Sequence, residues 1–178
     1  MKNSSTFRIV VIALFTALIC VATMIVQIPI LATGGYANLG DGVILICAFL
    51  MHPLYASIAA GLGSFLADIL AGYVAYAFGT LFIKASVALI ASMLYRRVRI
   101  LWDVKKALRN MILSGVLAEL FMVLGYFVYE ALFLGMGFGA SGAIVGNIGQ
   151  GLVGIIVACI VSPALKCSRE INELMDRL

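Results

Sequence analysis

Charge is scarce in this sequence. Asp, Glu, Lys and Arg make up 11% of its 178 residues, against roughly 25% in an ordinary soluble domain. Histidine and tryptophan occur once each and proline three times. The four cysteines, Cys20, Cys47, Cys159 and Cys167, form no CxxC pair and sit in or beside apolar stretches. A disulfide scaffold and a Cys/His metal site are therefore not expected, and the thiols read as buried and inert. No GxxxxGK[ST] run is present, so the chain by itself is no ATP-driven pump. No GxSxG elbow is present either, and the single histidine, His52, reads as a turn residue beside Pro53 rather than half of a Ser/His pair. Residues 137–142 fit GxGxxG, but they link two apolar runs and do not follow a strand, so no nucleotide site is read there.

What the sequence has is apolar surface. Hydrophobic residues are 64% of the chain and the mean hydropathy is +1.16. Water could not cover so much apolar surface at this size, but lipid can. Six apolar segments emerge, at residues 7–28, 41–51, 54–71, 80–95, 110–134 and 143–165. The first is too long for a signal-peptide core and lacks an A-x-A cleavage site, so it reads as a retained helix. The second is short: at about 1.5 Å per residue it spans little more than half a bilayer. Gly-rich connections at 32–40, 72–79 and 135–142 join these segments. The expected fold is all-α, a polytopic membrane protein with six transmembrane helices, built as one domain over residues 1–178.

Orientation follows from the cations. With the N-terminus in the cytoplasm, the inner segments hold Lys2, Arg8, Arg96, Arg97, Arg99, Lys105, Lys106, Arg109, Lys166, Arg169 and Arg177, eleven of the twelve Lys and Arg. Only Lys84 falls within a helix. That asymmetry predicts both termini inside. The basic 96–109 stretch is either an anchor on anionic lipid or a docking surface for a cytoplasmic partner. Nucleic acid is not expected as a partner.

Small residues recur at a four-residue step in Ala59, Gly63, Ala67 and Ala71, and again in Gly142 and Gly146 and in Gly154 and Ala158. Such rows let helices approach closely in lipid.

Five ionisable residues fall inside or at the edge of the spans: Asp41, Asp68, Lys84, Glu119 and Glu130. Each costs about 2.5–3.5 kcal/mol at mid-membrane, so such groups are usually paired, turned inward and functional. Lys84 is expected about one turn into the fourth helix from outside, and Glu119 alone near mid-depth. Asn38, Asn147, Gln150 and the tyrosines Tyr36, Tyr73, Tyr76, Tyr126 and Tyr129 also fall in the outer half. Two readings stay open. Lys84 pairs with Asp68 or Asp41 merely to neutralise charge, while the tyrosines form an interfacial belt. Alternatively the group lines an outward-facing pocket, with aromatic walls for a flat ring and a few polar groups to orient it.

The order Asn38-Leu39-Gly40-Asp41, Gly61-Leu62-Gly63-Ser64-Phe65-Leu66-Ala67-Asp68, Gly72-Tyr73, Tyr76 and Thr80-Leu81-Phe82-Ile83-Lys84 resembles the signature of the substrate-binding S components of energy-coupling factor (ECF) vitamin transporters. The pattern is NLGD…GxGSxLAD…SGYxxYxxxTxxIK, with Ala71 in place of the usual Ser and Phe78 where Pro is common. Motif detail covers residues 38–84, and the six-helix layout covers the whole chain. The resemblance implies a non-enzymatic subunit without cofactor or metal. It would capture a vitamin or precursor at the outer face of a prokaryotic cell membrane and deliver it with a transmembrane coupling subunit and two ATPases. The closest group is similar to transporters of hydroxymethylpyrimidine or vitamin B6 forms. On this reading Asn38, Asp68, Tyr73, Tyr76, Lys84, Glu119, Asn147 and Gln150 are the expected substrate contacts. Lys84 is open to a counter-ion role, and Asp41 to capping the second helix. Ala13 and Ala17 match the family's AxxxA pattern for contact with the coupling subunit, against simple internal packing. A proton-coupled carrier acting alone is the alternative reading of the buried acids.

Overall fold

The computed structural model describes residues 5–97 and 104–168. Helix α1 covers Ser5–Ile25, α2 Gly40–Leu50, α3 Pro53–Leu70, α4 Val74–Arg97, α5 Val104–Val128 and α6 Ile144–Cys167. Among the described residues five helices are long and apolar enough to cross a bilayer; in two of these, α5 continues through a π-helical turn at Tyr129–Phe133 and α6 is preceded by a 3-10 segment at Gly137–Ala143. The sixth, α2, has 11 residues and does not reach that length. It is a core helix instead: Gly40, Asp41, Gly42 and every residue from Ile44 to Leu50 are buried, with α6, α4 and α1 packed around it.

The expectation of an all-helical chain needs one correction. The first helix stops at Ile25, and the chain then forms an antiparallel hairpin, β1 (Gln27–Ile30) and β2 (Gly35–Asn38), with Gln27 opposite Asn38 and Ile30 opposite Gly35. The turn closes with Thr33 and Gly34 N–H both donating to the Ile30 carbonyl. Gly34 has φ +68°, a conformation that costs glycine little. Pro29 fits because a two-stranded ribbon consists of edges, where a missing N–H costs no ladder bond. A second boundary also moves: α4 begins at Val74, six residues before the expected start at 80. Lys84 is therefore its eleventh residue and lies about 15 Å along it, not one turn in.

The surface is that of a protein in lipid. Leu14, Val21, Phe82, Leu124, Leu152 and Ile160 are all exposed, while Asp41, Lys84, Glu119 and Glu130 are at most 4% exposed. Small residues set the helix spacing. A Cβ on Gly63 would lie 2.7 Å from the Thr16 carbonyl of α1, and one on Gly154 2.9 Å from Asp41 Cβ of α2. Gly154→Val should accordingly push α6 off α2 and cost about 1–3 kcal/mol of overpacking, read as a lower melting temperature in detergent. An unchanged melting temperature would mean that this contact relaxes freely. The cations Arg8, Arg96, Arg97, Lys106, Arg109 and Lys166 sit at the helix ends opposite the hairpin.

Candidate functional site

The hairpin, the C-terminal turns of α1 and α3, the N-terminal halves of α4 and α6 and the end of α5 converge at one end of the bundle. Thr23, Ile30, Gly35, Tyr36, Asn38, Ser64, Asp68, Tyr76, Thr80, Lys84, Tyr126, Glu130, Asn147 and Gln150 line a cavity there. The space among them, counted out to its mouth, is about 420 Å³.

Its floor is an ion pair. Lys84 Nζ lies 2.6 Å from Asp41 Oδ1, with the two side chains 2% and 0% exposed. Lys84 also touches Met122 Sδ at 3.0 Å and faces the Tyr126 ring at 5.4 Å. The second Asp41 oxygen accepts from Gln150 Nε2 at 2.5 Å. Gln150 Oε1 in turn accepts from the Asn38 backbone N–H at 2.7 Å, so one side chain ties α6 to both β2 and α2. Asp41 is not the cap of α2. Leu39 occupies the cap position without a side-chain bond, and both Asp41 oxygens are turned sideways to α4 and α6. Asn38 Oδ1 instead accepts from Gly40 N–H at 2.9 Å.

The walls come from tyrosines and two acids. Tyr36 donates to Asp68 Oδ1 at 2.6 Å. Burial, the adjoining Asp68 charge and that hydrogen bond hold the Tyr36 hydroxyl above the ordinary tyrosine range, so it stays a neutral donor. Tyr76 donates to the Thr33 carbonyl at 2.8 Å and lies 3.3 Å from Glu130 Oε1, which fastens the hairpin turn over the cavity. Tyr126 donates to Thr80 Oγ1 at 3.1 Å. Glu130 lines the cavity from the π-helical turn, whose extra residue per turn changes the direction of successive side chains.

Of the residues expected from sequence, the structure brings Asn38, Asp68, Tyr76, Lys84, Asn147 and Gln150 to this cavity. Tyr73 stands behind its wall, with its ring 4.4 Å from that of Tyr36. Glu119 is buried in a separate crevice between α5 and α6. Tyr36 and Glu130 belong to the lining although the expected contact set lacks them, and so do the small hydroxyls Thr23, Ser64 and Thr80. Glu130 carried a signal as a rare intramembrane acid, and Ser64 and Thr80 stand in the motif series; Thr23 carried none. Ala13 and Ala17 are exposed on α1. They border an apolar groove with Ile58, Leu62, Leu66 and Leu70 of α3.

A buried ion pair under a small polar cavity, wrapped in lipid-facing helices, defines a multi-pass membrane protein with a polar cavity at one end. Residues 3–167 match the family described as ECF-type riboflavin transporter, S component, and the chain belongs to that family of transporter subunits, which is not an enzyme family. It is 30% identical over 173 residues to the thiamine precursor transporter HmpT of Lactococcus lactis subsp. cremoris (strain MG1363), covering 97% of this chain and 95% of that one. An uncharacterised Pyrococcus woesei protein is 37% identical over 141 residues, 78% of this chain and 88% of its own. A solved structure of the S component of a bacterial ECF transporter shares the fold, with a TM-score of 0.68 over 92% of this chain and 98% of the other at 24% identity.

Proposed function

We propose that this chain is the substrate-capture subunit of an ECF importer for a small water-soluble vitamin or precursor, hydroxymethylpyrimidine- or pyridoxine-like. It takes the solute at the outer face and delivers it with a coupling subunit and two ATPases. The observation that carries the reading is a set of unsatisfied groups. Thr23 Oγ1, Ser64 Oγ, Asp68 Oδ2 and Glu130 Oε2 are buried, line the one cavity and have no hydrogen-bond partner. Buried polar atoms are nearly always partnered, and four such atoms around one space fit a ligand that completes them. The lining sets tyrosine rings beside these polar groups, which fits a small substituted ring. The name of the 30% identical relative supports the same class.

In this reading Asn38, Asp68, Tyr76, Asn147 and Gln150 contact the solute, joined by Glu130 and Tyr36, and Lys84 is the counter-ion of Asp41. Tyr73 backs the wall, and Glu119 lies outside the contact set. The whole of residues 1–178 acts as one membrane domain, with both termini cytoplasmic and α2 as the sixth, inner segment. Exposed Ala13 and Ala17 form the face for the coupling subunit.

The test is native mass spectrometry of the purified protein, followed by titration with B vitamins and pyrimidine precursors. A retained single-ring compound at submicromolar affinity is expected. A protein that binds none of the panel, yet moves a solute alone into proton-loaded vesicles, would be a secondary carrier instead.

A further inference from the structure

Glu119 is the embedded acid that the hairpin-end cavity leaves unused. It lies on α5, is 4% exposed, and neither of its carboxyl oxygens has a hydrogen-bond partner. It faces a crevice between α5 and α6, with Asn147, Ile148, Gly151, Leu152 and Ile155 on the α6 side. Gly151 makes the room for it: a Cβ there would lie 2.9 Å from Glu119 Cβ and 3.1 Å from Oε2. Leu120, Ile148 and Leu152 at the rim are exposed, so the crevice opens sideways to lipid. The charges that act on Glu119 are Asp41 and Lys84, and these are already paired with each other. A carboxylate without a counter-charge among apolar walls is strongly disfavoured. The group therefore sits there as the neutral acid, which both donates and accepts. Buried polar atoms are nearly always partnered, and an acid with neither oxygen partnered at the bottom of a lipid-facing slot calls for a partner from the lipid side.

We propose that the α5–α6 crevice is a second binding site, which takes the uncharged head of a single-chain fatty acid. It lies outside the solute cavity and does not depend on what that cavity holds. Two neutral carboxyls meet through a pair of parallel O–H···O bonds, each donating one and accepting one, so an acid head completes both Glu119 oxygens at once. An ester head only accepts and completes one. Val116, Leu152 and Ile155 extend the crevice as an apolar track for the chain, and on α6 it reaches about one helical turn beyond Gly151. A phospholipid head is kept from this depth by the cost of burying its charge, whereas an uncharged acid is not.

Photolabelling of the intact protein in lipid nanodiscs tests this, with a palmitic acid that carries a diazirine in its chain. The label, mapped by mass spectrometry of peptides, should concentrate on Val116, Leu152 and Ile155. It should fall about tenfold in Glu119→Leu and persist in Glu119→Gln, whose amide also donates and accepts. Unlabelled palmitic acid should compete about tenfold better than methyl palmitate. Label spread as densely over the exposed faces of α1 and α4 overturns the site. Label confined to the crevice but equal in Glu119→Leu, or displaced equally by the methyl ester, overturns recognition of the head. Folding is read separately. In fatty-acid-free detergent Glu119→Leu should melt no lower than the parent, because it removes a buried group that has no protein partner. A lower melting temperature would give the carboxyl a structural role and overturn its assignment to a ligand.

Discussion

Lys84→Met should cost about 3–5 kcal/mol of stability and abolish tight solute capture. The methionine fills the space of the lysine stem but leaves Asp41, 0% exposed, with a charge that only Gln150 still meets. Asp41 also stands at the first turn of α2, and α2 packs against α6, α4 and α1, so the strain falls on the centre of the bundle. The double variant Asp41→Asn/Lys84→Met removes both charges and keeps an acceptor for Gln150. It should recover most of the melting temperature and bring affinity back to within about tenfold, because replacing a buried pair by neutral groups is often tolerated. Thermal unfolding in detergent and titration with the solute read the two effects separately. Recovered stability without recovered affinity would make Lys84 a direct ligand contact. A single variant as stable as the parent would show that the pair contributes nothing to the fold.

Ala13→Leu and Ala17→Leu should abolish solute uptake by the assembled importer while leaving solute affinity and melting temperature unchanged. Both alanines are exposed, one turn apart on α1, beside an apolar groove walled by Leu62, Leu66 and Leu70 of α3. The core side of α1 is carried by other residues, Val11, Phe15 and Ile19, so a bulkier residue at 13 or 17 does not enter the bundle. In lipid, a face of small side chains permits close approach without a hydrophobic driving force, and one isobutyl group at its centre holds the surfaces apart. Co-purification with the coupling subunit is the direct readout. Normal assembly of both variants would place the contact elsewhere.

The membrane class, the helical segments and the inward acids follow from composition and from hydropathy period, because lipid imposes length and apolarity on every span. The motif series from Asn38 to Lys84 identified the family that residues 3–167 match. Six of the eight expected contact residues converge on one cavity. This much was legible because an ionisable group in a membrane helix is rare, and its presence alone marks a position.

Other features depended on how elements meet. Residues 27 and 28 read as the end of the first apolar run and 32–40 as a Gly-rich connection, yet Gln27 pairs with Asn38, an outcome of folding the chain back over the bundle. Asp41 read both as a cap, from its place at a helix start, and as one of two partners open to Lys84; side chains of α4 and α6 claim both its oxygens, and it caps nothing. Glu119, the one acid expected near mid-depth, read as a contact and Glu130 did not, yet the π-helical turn brings Glu130 to the cavity while Glu119 is buried in another crevice. By itself, then, the sequence determined the solvent, the helices and the family. Only the tertiary structure decided which polar groups neutralise one another and which stay unpaired around one cavity. Pairing is set by distances of 2.5–3.3 Å between separate elements, and no one-dimensional pattern records these.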